Sequence, residues 1–544
     1  AGYVESEHPE FLVNKLYYDA YKKDMTAGTY PDVRSGLQKL LKDGLLLFNY
    51  TGHGGTTALS DEKVLTQTDI NQFTYTHLPV WVTATCDFTR FDDLNTSAGE
   101  DVFLNKSSGG IALFTTVRVA YSRPNFPIND NVIRNLFERN NGRRRTLGEV
   151  MQATKNTLSS VYKLGFCLIG DPAVKIAYPE FGMKVTTVNG QSVDGNSISF
   201  KALEKITVEG EVLDASGQLV TDFTGIVNPT VKDSKVTVTC LKNSNKDDSP
   251  AFTFTDYPNT IFIGNDSVRN GKFSFTFTVP KDISYSNLQG KMNLYAVDTE
   301  SGNEAQGNFD NFIVGGTSDT AETDTIGPEI RALYLNDTTF VDGGQVNTTP
   351  YFVAELWDKS GVNITGSSVG HDMMLVIDES TVLSYNLNSY YELLPGEDGT
   401  GIVKFPIPAL EPGKHTAEFW VWDILNNSTV RTFTFEVVEG LKPFLFDVIA
   451  TPGIAREQVT FHLMHNRPES RMRVGIMVYD LAGRQLWKHE ESGTSGLFEN
   501  YTVSWDLTSG GARMRPGVYI YRAAISTDNS KDATKARKFI ILGE

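Results

Sequence analysis

Three short runs of uninterrupted apolar residues alternate with helical patterns at the start of the chain: residues 45–50 (LLLFNY), 79–85 (PVWVTAT) and 110–116 (GIALFTT). A strand with one wet face alternates apolar and polar residues. A continuous run is buried on both faces, which needs helices on both sides and a parallel sheet. The intervening segments supply those helices. Val33, Leu37, Leu40 and Leu41 share one face of a helix over 30–42, and residues 66–73 (TQTDINQF) read as a short helix. Ser97 and Glu100 form a capping-box pattern, residues 127–140 read as helical, and Thr146 with Glu149 opens another helix to about residue 160. Residues 166–170 (FCLIG), closed by Asp171-Pro172, are predicted as a fourth strand. Four strands are few for a doubly wound sheet, and the first needs neighbours to cover its edge. The chain also starts without Met or a leader-like stretch, so the expectation is a catalytic domain that begins before Ala1.

After residue 180 the pattern changes. Short alternating runs of Val, Ile, Thr, Phe and Tyr are separated by Gly, Asn, Asp and Pro, as in 205–214 (KITVEGEVLD), 271–279 (GKFSFTFTV), 351–358 (YFVAELWD) and 416–423 (TAEFWVWD). Such patterning predicts β-sandwiches. The polar stretch 315–324 (GGTSDTAETD) reads as a linker. In the last hundred residues, 473–479 and 485–489 flank a hairpin turn at 480–483 (DLAG), and a final strand at 536–542 implies a docked terminus. The predicted organisation is an α/β parallel-sheet unit at 1–180 followed by three β-sandwich (Ig-like) domains at 181–318, 326–438 and 440–544. At 544 residues the chain is too long for one core.

Charge narrows the partners. A net charge of −17 argues against nucleic acid, which needs clustered Lys and Arg, and against docking on anionic lipid through a basic patch. No apolar stretch reaches the roughly 20 residues that span a bilayer. The three cysteines, Cys86, Cys167 and Cys240, are too far apart for a metal or redox motif. Cys167 and Cys240 read as small core residues. Residues 363–365 and 426–428 match the glycosylation sequon. His462 and His465 fall three apart in a predicted strand, so they point to opposite faces and form no ligand pair. The Asp pair at 247–248 lacks a calcium-loop pattern.

Cys86 differs from the other two. It follows the second apolar run directly, as His53 follows the first within Tyr50-Thr-Gly-His-Gly-Gly55. The C-terminal rim of an open α/β sheet is where ligands bind. A thiol and an imidazole there are the minimum machinery for nucleophilic acyl transfer: sulfur attacks a carbonyl and the imidazole protonates the leaving amine. Gly52, Gly54 and Gly55 let the backbone approach a substrate, and the amides of Gly54 and Cys86 are candidate oxyanion donors. Each residue alone has a plainer reading, His53 as a turn residue and Cys86 as core. Their equivalent positions on two strands favour the joint one. Candidate pocket residues on the same rim are Asp87, Arg90, Arg118, Tyr121 and Ser122, with Asp92 and Asp93 in the loop after Cys86. A carboxylate orienting His53 is sought among Glu5, Glu7 and Glu10 or upstream of Ala1. The chemistry requires no metal.

The runs LLLFNYTGHGG, PVWVTATCDF, GGIALFTTVR and LIGDP resemble the gingipain family of bacterial cysteine peptidases, over about residues 30–175. The resemblance implies a caspase-like fold, His53 as general acid, Cys86 as nucleophile and Gly54 and Cys86 as oxyanion amides. Related secreted peptidases hold structural calcium, so the resemblance allows one here. CDFTRFDD with SAGEDVFL, and the β-rich tail, further resemble the surface sortases of the type IX secretion system, and the last unit resembles that system's C-terminal signal domain. This implies a cysteine endopeptidase/transpeptidase on the outer face of a bacterial outer membrane. Its substrates would be secreted cargo proteins bearing C-terminal signal domains, and its acceptor an amine of anionic lipopolysaccharide. Its partners would be an outer-membrane β-barrel anchor, reached through the last sandwich, and other surface subunits of the system. The alternatives are a gingipain-like endopeptidase of broad extracellular targets and an inert structural or adhesive protein.

Overall fold

The helix-strand alternation of the first 180 residues builds a three-layer unit in the computed structural model. The structure describes residues 1–542 except 74, 76, 107, 141, 244–248, 320–323, 366–369, 395–399 and 528–529. The Asp pair at 247–248 and much of the linker therefore lie outside the described residues. Four strands, β1 (Leu47–Thr51), β2 (Val80–Ala84), β3 (Ala112–Thr116) and β4 (Phe166–Ile169), lie side by side in that order. The first three are parallel, with Thr51 opposite Ala84 and Val82 opposite Phe114. The fourth corrects the all-parallel expectation. It runs antiparallel to β3, Phe166 facing Thr116. A 3-10 turn, Val161–Gly165, brings the chain back to the C-terminal end of β3, where the Val117 amide bonds the Gly165 carbonyl. From there the chain can only run down the sheet.

Helices cover both faces. Phe48, Tyr50, Trp81 and Leu113 point to the side of α2 (Pro31–Asp43), α3 (Gln67–Gln72) and α4 (Ala98–Leu104). Val80, Val82, Ala112 and Phe114 point to the side of α5 (Ser122–Phe137) and α6 (Leu147–Thr157). Helix α1 (Gly2–Glu7) packs at the far end of α5, with Arg134 over the Tyr3 ring and His8 against Phe137. α5 begins five residues before the expected helix and ends three residues before its expected close.

Beyond residue 180, the three largest apolar clusters among the described residues are each enclosed by strands. The first unit is not two stacked open sheets. Its main sheet closes on itself, since Phe181 and Gly182 pair in parallel with Ala305 and Gln306. Alternation specifies an inner and an outer face and does not distinguish a sandwich from a closed sheet. The second unit has a four-stranded and a five-stranded sheet around Phe352, Leu375, Phe419 and Phe433. The third has a three-stranded and a five-stranded sheet around Phe461, Val474, Tyr521 and Phe539. Its last strand, Ala533–Ile541, pairs with Gly517–Thr527 on one side and Ile454–Ala455 on the other. The hairpin turn forms with Gly483 at a left-handed φ of 83°. Asn363 is 1% exposed and accepts the Thr365 hydroxyl, so that sequon cannot carry a glycan.

The units are tied by polar contacts. The Asp19 carboxylate accepts the amides of Lys242 and Asn243 at 2.9 and 2.8 Å. Asp282 joins the first two β units, accepting from Asn426 at 2.9 Å and lying 2.7 Å from His371 Nδ1. Lys42 of α2 reaches Glu469 of the last unit at 3.1 Å. Among the described residues no helix is long and apolar enough to cross a membrane.

Candidate active site

The pairing of β1 with β2 sets the site. Thr51 and Ala84 are register partners, and His53 and Cys86 each lie two residues beyond them. The two candidates therefore leave the sheet at one level, from strands about 4.8 Å apart. They also share parity with Leu47 and with Val80 and Val82, which face α5.

The residues around His53 explain its motif. The Tyr50 phenol donates to the His53 carbonyl at 2.6 Å, and the Ser60 amide donates to the same oxygen at 2.8 Å. Burial raises the Tyr50 phenol well above its ordinary pKa, so it stays a donor. A side chain at Gly52 would press on the Tyr50 hydroxyl, and one at Gly54 would collide with Thr85 Oγ1. The His53 ring is exposed and makes no hydrogen bond among the described residues.

Cys86 is half-buried. Its thiol donates to the Ala120 carbonyl at 3.1 Å and accepts the Ala120 amide at 3.4 Å. The backbone then turns sharply, with Asp87 at a left-handed φ of 49° and its amide on the Arg118 carbonyl. Non-glycine residues rarely take that conformation, and they do so where the surroundings hold them. Here buried threonines hold the loop. Thr116 Oγ1 donates to the Thr85 carbonyl, and Thr115 Oγ1 bonds both Thr83 and Thr89. The amides of Gly54 and Cys86 donate to no carbonyl among the described residues, as oxyanion donors require.

One element joins the two loops. At the start of α4 the Ala98 amide bonds the Thr56 carbonyl at 2.6 Å and the Gly99 amide bonds the Phe88 carbonyl at 2.8 Å. Glu100 fixes that turn by accepting the amide and hydroxyl of the fully buried Ser97 at 2.8 and 2.6 Å.

The expected pocket residues are partly spoken for. Arg118 grips Asp92 with both terminal nitrogens, at 2.9 and 2.5 Å, which holds that carboxyl below its usual range. Arg90 lies 3.6 Å from Asp93. Tyr121 is 60% exposed, edge-on to Tyr162, with its ring free to meet a substrate. The side chain of Ser122 lies outside the described residues. Glu5 and Glu10 do not orient His53: they meet Lys15 and His8 beside α1, at the end of α5 remote from the rim. Cys240 is buried, and burial pushes its thiol up; Cys167 is half-buried rather than a core residue. The expected opposite orientation of His462 and His465 is met within the strand Val459–His465.

Sequence reasoning missed the threonine ladder, the Ala120 clamp on the thiol and the α4 joint. It also missed Asp324, at the end of the linker, and Asp358 and Asp423 of the second β unit, whose carboxylate oxygens lie within 4.8 Å of one another. Burial pushes Asp358 up to about 6 and raises Asp423. An all-oxygen donor set suits a hard cation such as calcium. The visible signal was two strands ending in Trp-Asp, at 357–358 and 422–423.

Residues 1–177 match the family model of peptidase family C25. The chain is similar to dimeric latent PorU from Porphyromonas gingivalis, at 37% identity over 76% of this chain and 39% of that one, with a TM-score of 0.34. It thus spans well under half the length of the PorU structure. It is also similar to the Arg-specific cysteine proteinase gingipain R, at 18% identity over 52% of this chain and 56% of that one, with a TM-score of 0.26. No curated protein matches.

Proposed function

From the match of residues 1–177 to peptidase family C25 we propose that the chain carries the nucleophile and general acid of a cysteine peptidase, Cys86 and His53. The observation that carries this reading is the shared register, which leaves both residues two positions past the ends of adjacent parallel strands. In the reaction the thiol leaves the Ala120 backbone and meets the imidazole. The thiolate attacks the substrate carbonyl, and the amides of Gly54 and Cys86 stabilise the oxyanion. His53 then gives its proton to the leaving amine, and a thioester remains on Cys86. Water or an amine resolves it.

The similarity to PorU supports a finer reading: a type IX secretion sortase at the bacterial surface. It removes C-terminal signal domains from secreted cargo and joins the new C-terminus to a lipopolysaccharide amine. The last β unit, resembling such a signal domain, docks on an outer-membrane β-barrel partner. Tyr121, exposed at the rim, lines the substrate pocket. No metal takes part in the chemistry; calcium, where bound, serves stability at Asp324, Asp358 and Asp423.

Mass spectrometry of a cargo protein incubated with the enzyme tests this. A shortened cargo ending in a carboxylate reports hydrolysis, and one ending in an amide-linked adduct reports transpeptidation. Cys86→Ala and His53→Ala are expected to leave the cargo intact while their circular dichroism is unchanged. Processing by folded Cys86→Ala would remove the nucleophile assignment. Digestion of unrelated proteins with the signal domain untouched would point to a general endopeptidase.

A further inference from the structure

Buried polar atoms without partners gather beneath the rim. Asn125 is 4% exposed, yet its side-chain oxygen accepts no hydrogen bond among the described residues. Asn129, one helical turn on, has a buried unpaired oxygen too, while its nitrogen donates to Thr51 Oγ1 at 3.2 Å. Buried oxygens of this kind are uncommon and call for an explanation.

Their placement supplies one. Asn129 is level with Thr51, the last residue of β1. Four residues of helix rise about 6 Å, and two residues of strand rise about 6.6 Å. Asn125 therefore stands level with His53 and Cys86. The α5-facing positions of β1 and β2, continued past Thr51 and Ala84, include both residues, and the Cys86 sulfur meets Ala120 just before α5. The Asn125 backbone N–H donates to the carbonyl of Tyr121 in the first turn of α5, next to Ala120, whose backbone holds the thiol. The imidazole has no hydrogen-bond partner among the described residues and sits in a glycine-flanked loop that lets it turn inward.

We infer that Asn125 is a positioning residue for His53, its buried side-chain oxygen accepting one imidazole N–H so that the other ring nitrogen faces the Cys86 sulfur. This rests on the thiol–imidazole reading above. A fixed acceptor selects the tautomer and ring orientation and stabilises the imidazolium once the thiolate forms. Asn129 ties that turn of α5 to β1.

The test is alkylation of Cys86 in the full chain at neutral pH, followed by peptide-level mass spectrometry. Asn125→Leu, close in size and without an acceptor, is expected to slow labelling about tenfold, to the rate of His53→Ala, because the imidazole is no longer aimed at the sulfur. Asn125→Asp, which keeps the acceptor, is expected to label like the natural protein. Wild-type labelling of a folded Asn125→Leu overturns the assignment. Should that variant not fold, the ¹⁵N spectrum of histidine-labelled natural protein decides, with His53→Ala assigning the signal. One hydrogen-bonded ring N–H supports the assignment, and two nitrogens exchanging freely with water overturn it. Equal labelling of the natural protein and His53→Ala would sink the thiol–imidazole pair itself, and this assignment with it.

Discussion

Gly54 shows how tightly single residues are specified at the rim. A methyl group there would strike Thr85 Oγ1, a buried hydroxyl that has no hydrogen-bond partner among the described residues. Gly54→Ala is therefore expected to cost about 1–3 kcal/mol, the usual range for overpacking. Thr85→Ala removes the obstacle along with an unpaired group, so it should change little alone and recover much of the loss in the double variant. Thermal melting of the four proteins checks this, and additive losses would refute the contact. The His53 motif was legible because glycines and a tyrosine around a histidine stand out in a sequence. The Thr83, Thr85, Thr89, Thr115 and Thr116 ladder was not. Threonine is ordinary in strands, and only pairing β2 with β3 brings those residues together.

Helix α4 has only seven residues, but its first turn carries more of the site than its length suggests. Its amides hold one carbonyl from the His53 loop and one from the Cys86 loop. Glu100→Ala strips the acceptor from two donors on buried Ser97, at an expected cost of about 1–3 kcal/mol. Because both loops hang on that turn, peptidase activity should fall further than stability predicts, and a proportionate fall would argue against the joint. The capping pattern announced the helix. It did not announce what the helix touches, since Thr56 and Phe88 are local to other segments. The direction of β4 was likewise hidden: an apolar run has the same pattern read up or down a sheet.

At the scale of the molecule, the seam between the second and third β units sets a histidine against a buried arginine. Arg467, 1% exposed, donates to the carbonyls of Leu441 and Lys442 in the connecting segment. His465 beside it accepts the Arg467 amide and lies 2.8 Å from the Ser495 hydroxyl. Burial, reinforced by the Arg467 charge, pushes its pKa down to about 4. A histidine depressed on folding adds stability that is complete above its unfolded value near 6.5 and disappears as pH falls toward 4. The unfolding free energy should therefore drop by an amount on the order of 2–3 kcal/mol between pH 7 and 4, read from denaturant titrations. His465→Gln should flatten that slope, and an unchanged slope would clear His465 of the effect.

The α/β-to-β change near residue 180, the strand-end positions of His53 and Cys86 and the helices around them follow from local pattern, because apolar periodicity and capping act within a few residues. Whether strands close into a ring, which way β4 runs, that Ala120 holds the thiol and that Asn129 bonds Thr51 are settled by contacts between distant segments. Those depend on which chain segments lie side by side after folding, and residue spacing alone does not encode that.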